Sequence, residues 1–215
     1  MKKITTLALT TILLSSLTFS TAFAFTDVDK GQAEAVSFLK DRGVVSGIDH
    51  DHFVPKGKIS YAQSVQMIVK GLGLNLNTIR FSTPPAASNI YTNIPNNAWY
   101  SDAFVIAYYN GLEIPKDVNP NATITREQFG DLLIRALEKN GDFPTVKMFI
   151  EIKDEDQINP EYQGRLQRML LYKITELDKA GKLHPKSDLT RGEAAVWIYN
   201  AIHVLDAHTS KVVAQ

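Results

Sequence analysis

Ile59-Ser60-Tyr61-Ala62-Gln63, Ile124-Thr125-Arg126-Glu127-Gln128 and Leu189-Thr190-Arg191-Gly192-Glu193 are one phrase written three times. Each phrase begins four residues after a proline, and Pro55, Pro120 and Pro185 stand 65 residues apart both times. A fixed internal period marks a repeated structural unit. In each phrase a hydroxyl residue is followed three positions later by Gln or Glu, the capping-box signature of a helix start. Beyond it, Ser64, Met67, Ile68, Gly71 and Leu72 recur in register as Phe129, Leu132, Leu133, Ala136 and Leu137, then as Ala194, Trp197, Ile198, Ala201 and Ile202. That i, i+3, i+4, i+7, i+8 spacing makes one helical stripe. One helix-loop-helix unit cannot bury such a stripe, whereas three can bury it against one another.

Working outward, a second helix is expected ahead of each phrase. Ala35, Val36, Phe38 and Leu39 carry it in unit one, and Trp99, Ala103, Phe104, Ile106 and Ala107 in unit two. Leu166, Met169 and Leu170, within Tyr162 to Tyr172, carry it in unit three. The expected fold is mainly α, with three helix-loop-helix repeats packed as a pseudo-threefold helical module. Its units are residues 25–76, 91–140 and a divergent 149–205, joined by linkers 77–90 and 141–148, with a frayed tail at 206–215. The linker holding Thr83-Pro84-Pro85 reads as an extended connection. Unit one opens on Phe25-Thr26-Asp27-Val28, mirrored by Tyr91-Thr92-Asn93-Ile94, and Phe149-Ile150-Glu151-Ile152 is the nearest match in unit three.

Residues 1–24 read as an export leader. Lys2 and Lys3 precede the uncharged stretch Ile4–Leu17, and Ala22-Phe23-Ala24 is a small-x-small cleavage site. The stretch is short and hydroxyl-rich for a membrane span. The whole chain has a formal charge of +0, and without Lys2 and Lys3 it is slightly acidic. Neither value is a nucleic-acid-binding balance. With no cysteine, disulfides and thiolate metal sites are excluded. An apolar content of 44% is enough for a packed core without them.

The cap leaves the residue just inside it unexplained. Arg126 and Arg191 occupy the first helical position, where the helix dipole disfavours a cation. Free amides, dipole and guanidinium together would hold a carboxylate or phosphate. The alternative is an arginine lying along the neighbouring unit, paired there with Asp or Glu.

The opening Phe-Thr-Asp-Val, the Gly43-Val44-Val45-Ser46-Gly47 turn, the Phe53-x-Pro55 pair and the Ile-Thr-Arg-Glu-Gln phrase resemble the S-layer homology (SLH) domain. The resemblance covers essentially the whole chain after residue 24. It implies a three-lobed helical module that attaches an exported protein non-covalently to a secondary polysaccharide of a Gram-positive cell wall. It further implies a ligand bearing a pyruvate ketal, whose carboxylate would meet Arg126 and Arg191. Thr125, Glu127 and Gln128 would frame one site and Thr190 and Glu193 the other. Trp99 would either offer a face to a sugar ring or pack in the core. Tyr61 stands where the family has Arg, Pro115 where it has a turn glycine, and unit three lacks a clear opening, so at most two sites are expected, unit one being the weakest. The alternative function is an exported protein-protein interaction module, an inhibitor or assembly factor, on the same scaffold with decayed sugar sites.

Asp49-His50-Asp51-His52 has metal-ligand residue types, but solvated charges are ordinary in such a loop. No nucleophile elbow, phosphate loop or zinc-protease helix occurs. The expectation is a non-enzymatic binding module with no cofactor and no metal, located at the cell surface.

Overall fold

The computed structural model describes residues 25–141, 143 and 148–213, so the expected export leader, residues 1–24, lies outside the described residues. These residues form six α-helices: α1 (Lys30–Asp41), α2 (Tyr61–Gly71), α3 (Ser101–Tyr109), α4 (Arg126–Lys139), α5 (Pro160–Leu171) and α6 (Arg191–Val213). The fold is mainly helical, as the periodicity predicts.

The three phrases start α2, α4 and α6. Gln63 N–H donates to Ser60 Oγ at 3.2 Å, and Ser60 N–H donates to Gln63 Oε1 at 2.9 Å. Thr125 with Gln128 repeats this pair at 3.3 and 3.0 Å. Thr190 with Glu193 does so at 3.3 and 3.0 Å. Each reciprocal pair satisfies two amides that the helix start leaves free. The preceding helices end in left-handed turns. Gly43 (φ 67°) follows α1 and Gly111 (φ 80°) follows α3, both free of the Cβ penalty. After α5 the same conformation falls on Lys173 (φ 57°).

Short backbone bonds link the phrases in a closed series. Ile124 N–H donates to Ile59 C=O, Leu189 N–H to Ile124 C=O, and Ile59 N–H to Leu189 C=O, at 3.2, 2.9 and 3.2 Å. One step along, Tyr61 N–H donates to Ala122 C=O, Arg126 N–H to Ser187 C=O, and Arg191 N–H to Gly57 C=O, at 2.9, 2.9 and 2.8 Å. Each phrase therefore rests on the loop of the following unit, and the third returns to the first. At one end of this series Asp188 accepts from Thr123 Oγ1 at 2.8 Å and pairs with Lys58 at 2.6 Å.

The helices follow the same order. α2, α4 and α6 touch one another, and each also packs on the first helix of the next unit: α2 on α3, α4 on α5, α6 on α1. The apolar stripe lies in this shared centre, where Ile68, Leu133 and Ile198 are fully enclosed.

Three local expectations are corrected. Trp99 is not on a helix: it precedes Ser101, the first residue of α3. The 77–90 linker is not wholly extended, since Ala87–Asn89 forms a 3-10 turn whose Ala87 is buried and Phe81 lies against Tyr109 at 4.8 Å. The tail does not fray at Asp206, because α6 continues to Val213. Its extension is held by stacking of His208 on Phe143, with ring centres 4.4 Å apart.

Candidate functional site

The loop ahead of each phrase is fixed by the unit's opening motif. Asp27 accepts the amides of Phe53 and Val54 at 2.9 and 2.7 Å, and Val54 adopts φ 59°. Partial burial works against the Asp27 charge, yet these two donors hold its carboxyl below the ordinary value. Asn93 does related work by donating to Asp117 C=O at 2.8 Å. In unit three the residue is Asp154, which accepts the amides of Leu183 and His184 at 2.9 and 2.8 Å, with His184 at φ 56°. The unit-three opening is thus Ile152-Lys153-Asp154 and not Phe149-Ile150-Glu151-Ile152. Phe149 itself is 65% exposed. The sequence signal was present in Asp154, but a shorter connection from unit two displaced it from the 65-residue register.

Because each phrase docks on the following unit, its inner residue serves that unit's turn. Arg191, from unit three, reaches unit one. Its Nη2 donates to Ser46 C=O at 2.5 Å and its guanidinium lies 4.5 Å from the centre of the Phe53 ring. Its Nε is buried without a hydrogen-bond partner. Burial, with no acid to offset it, pushes its pKa below the ordinary guanidinium value, and it remains a cation at neutral pH. The side chain lines a groove of about 720 Å³ formed by the Gly43–Asp49 turn together with Gln63, Gln66 and Lys70 of α2 and Lys40 of α1. Trp99 of unit two, 63% exposed, also lines it. The core alternative for Trp99 therefore does not hold: the side chain is largely exposed, its ring perpendicular to that of Tyr100 with centres 5.1 Å apart.

Arg126 makes the corresponding reach into unit three, with a different result. Its Nε donates to Leu183 C=O at 2.9 Å, and its Nη1 is hydrogen-bonded and ion-paired to Glu193. The guanidinium lies 4.8 Å from the Trp197 ring centre and only 13% of the side chain is exposed. This arginine already holds a carboxylate, the arrangement weighed as the alternative. Tyr61 docks on unit two and is buried, which drives its phenol pKa up. The missing arginine therefore empties the unit-two groove of this cation and leaves unit one served by Arg191. In the unit-two groove Arg135 is paired with Glu113 at 2.8 Å and with Asp131 at 2.8 Å.

The remaining candidates are structural in position. Thr125, Gln128 and Thr190 are engaged in capping. Glu127 is buried, accepts Asn159 N–H at 2.9 Å and pairs with Lys186, which anchors the start of α5. Asp49 accepts the amides of Asp51 and His52, each at 2.8 Å, as a loop-closing turn. Among the described residues no group of three or more His, Asp or Glu side chains could hold a metal ion. Sequence reasoning missed Lys40, Lys70, Gln63 and Gln66. Gln63, Gln66 and Lys70 flank the buried stripe of α2 and were readable from it, whereas Lys40 belongs to α1 and joins them only in the fold.

The family model of the S-layer homology domain matches residues 24–63. An endoglucanase of Bacillus sp. (strain KSM-635) is 27% identical over 195 residues, covering 88% of this chain and 20% of that protein. The surface-layer 125 kDa protein of Lysinibacillus sphaericus is 26% identical over 186 residues, 83% of this chain and 14% of its own length. The exoglucanase XynX of Acetivibrio thermocellus is 24% identical over 182 residues, covering 83% and 16%. The chain spans a fifth or less of each of these relatives. Among the described residues no helix is long and apolar enough to cross a membrane.

Proposed function

We propose, for a chain that carries an S-layer homology domain over residues 24–63, that it holds an exported protein at the cell surface by binding an anionic wall polysaccharide in the Arg191 groove. The observation that carries this is a half-buried guanidinium with no acid partner, with two lysines and an exposed tryptophan lining the same groove. A carboxylate entering the groove would pair with the guanidinium of Arg191, and a charge-assisted contact there is worth about 1.5–3 kcal/mol. A pyruvate ketal supplies such a carboxylate fixed to a sugar ring, and Trp99 would receive the apolar face of that ring. Lys40 and Lys70 raise the positive potential of the groove and favour anionic over neutral glycans.

The three units, 25–76, 91–140 and 149–205, are proposed to close as a pseudo-threefold module, supported by the cyclic bonds of the phrases. A surface-layer protein among the relatives supports the same surface role. The activities of the enzyme relatives belong to proteins several times longer than the matched segment. The test is co-sedimentation with purified wall sacculi before and after the secondary polysaccharide is stripped. Binding to intact sacculi alone is expected; equal binding to both, or to neither, overturns the proposal.

A further inference from the structure

Residues 63, 128 and 193 occupy the same position in their phrases, the third residue of α2, α4 and α6. Gln63 and Gln128 accept the capping amide at 2.9 and 3.0 Å, and Glu193 does so at 3.0 Å. The cap is therefore indifferent to amide or carboxylate. What the carboxylate adds is Oε1, which reaches across the unit boundary to Arg126. In the first groove the corresponding residue beside Arg191 is Gln63, which is neutral and leaves the guanidinium uncompensated.

We infer that Glu193 is a built-in occupant of the third groove. Its Oε1 holds the place on Arg126 that a ligand carboxylate takes on Arg191, so the choice of Gln or Glu at this position decides which groove binds. The inference takes its ligand class from the function proposed above. A cavity of about 340 Å³, lined by Lys182, His184 and Ser187 and also by the carboxylates Glu176, Asp178 and Asp188, lies against the Arg126–Glu193 pair and is where a displaced contact would open. An internal carboxylate wins over a free one because it pays almost no association entropy.

The experiment exchanges the two residue types. Glu193→Gln and Gln63→Glu both keep the capping box, since each residue already caps in another unit, so both variants are expected to fold. Binding of a methyl hexopyranoside carrying a pyruvate ketal is measured by calorimetry, with the arginine Nε–H signals followed by NMR. The expected stoichiometry is one for the wild type and two for Glu193→Gln, returning to one in Glu193→Gln/Arg126→Gln. Gln63→Glu is expected to weaken the wild-type site at least tenfold. A Glu193→Gln variant that still binds one equivalent, or a Gln63→Glu variant that binds like the wild type, overturns the inference. Binding by Glu193→Gln through Arg126 with no binding by the wild type would sustain the inference and sink the Arg191 site. Failure of every variant to bind sinks both.

Discussion

Arg191 stands at the first position of α6 with its guanidinium over Phe53 and its Nε without a partner, while Arg126, at the same position of α4, is neutralised by Glu193. Sequence placed both arginines where an anion is wanted. It could not say which was free, because the deciding neighbour belongs to another unit. Arg191→Gln removes the fork, with its contacts to Phe53 and Ser46 C=O, and keeps a polar side chain of shorter reach. Its loss of ligand affinity is expected to be about 10- to 100-fold, with a small effect on thermal stability. Asp27 supports a pH prediction. Its native pKa lies below the ordinary 3.8, so its carboxylate stabilises the fold fully above that value and the contribution is lost as pH falls through the depressed pKa. Asp27→Asn is therefore expected to be less stable than the wild type at pH 7, with the gap closing below pH 3.8 in urea titrations. A gap that stays constant down to pH 2.5 would show that the charge of Asp27 does no such work.

At the scale of elements, the phrase-bearing helices were legible because their caps and stripes are local, three and four residues apart. The turns were less so. Gly43 announces the end of α1, and Gly111 the end of α3, but Lys173 takes up the same left-handed conformation without any sequence sign. A Cβ there costs energy that glycine avoids. Lys173→Gly is expected to raise the stability by about 1 kcal/mol, read as a higher urea midpoint with an unchanged slope. A lower midpoint would mean that the lysine side chain contributes more than its backbone strain costs. The continuation of α6 past Asp206 was also invisible, since the residues are polar and small. The contact that holds it, Phe143 on His208, joins positions far apart in sequence.

Across the whole molecule, the bonds between phrases and the packing of each second helix on the next unit's first helix tie the units into one body. The 65-residue period made the three capped helices α2, α4 and α6 and the core they share legible. It did not reveal that each unit completes the turn of the next, which is why Tyr61 was assigned to the wrong groove. A chain ending at residue 148 would lose α6, and with it the packing partner of α1 and the acceptor of Ile59 N–H. Such a fragment is expected to lack a cooperative melting transition, whereas the full chain melts in one step by calorimetry; a fragment with its own sharp transition would refute the mutual dependence of the units. The central claim is that Arg191 receives a carboxylate of the wall polysaccharide. Co-sedimentation of folded wild-type and Arg191→Gln protein with sacculi, untreated or stripped of pyruvate ketals by mild acid, tests it most directly. Binding is predicted only for the wild type on untreated sacculi, and equal retention of Arg191→Gln on those sacculi would contradict it.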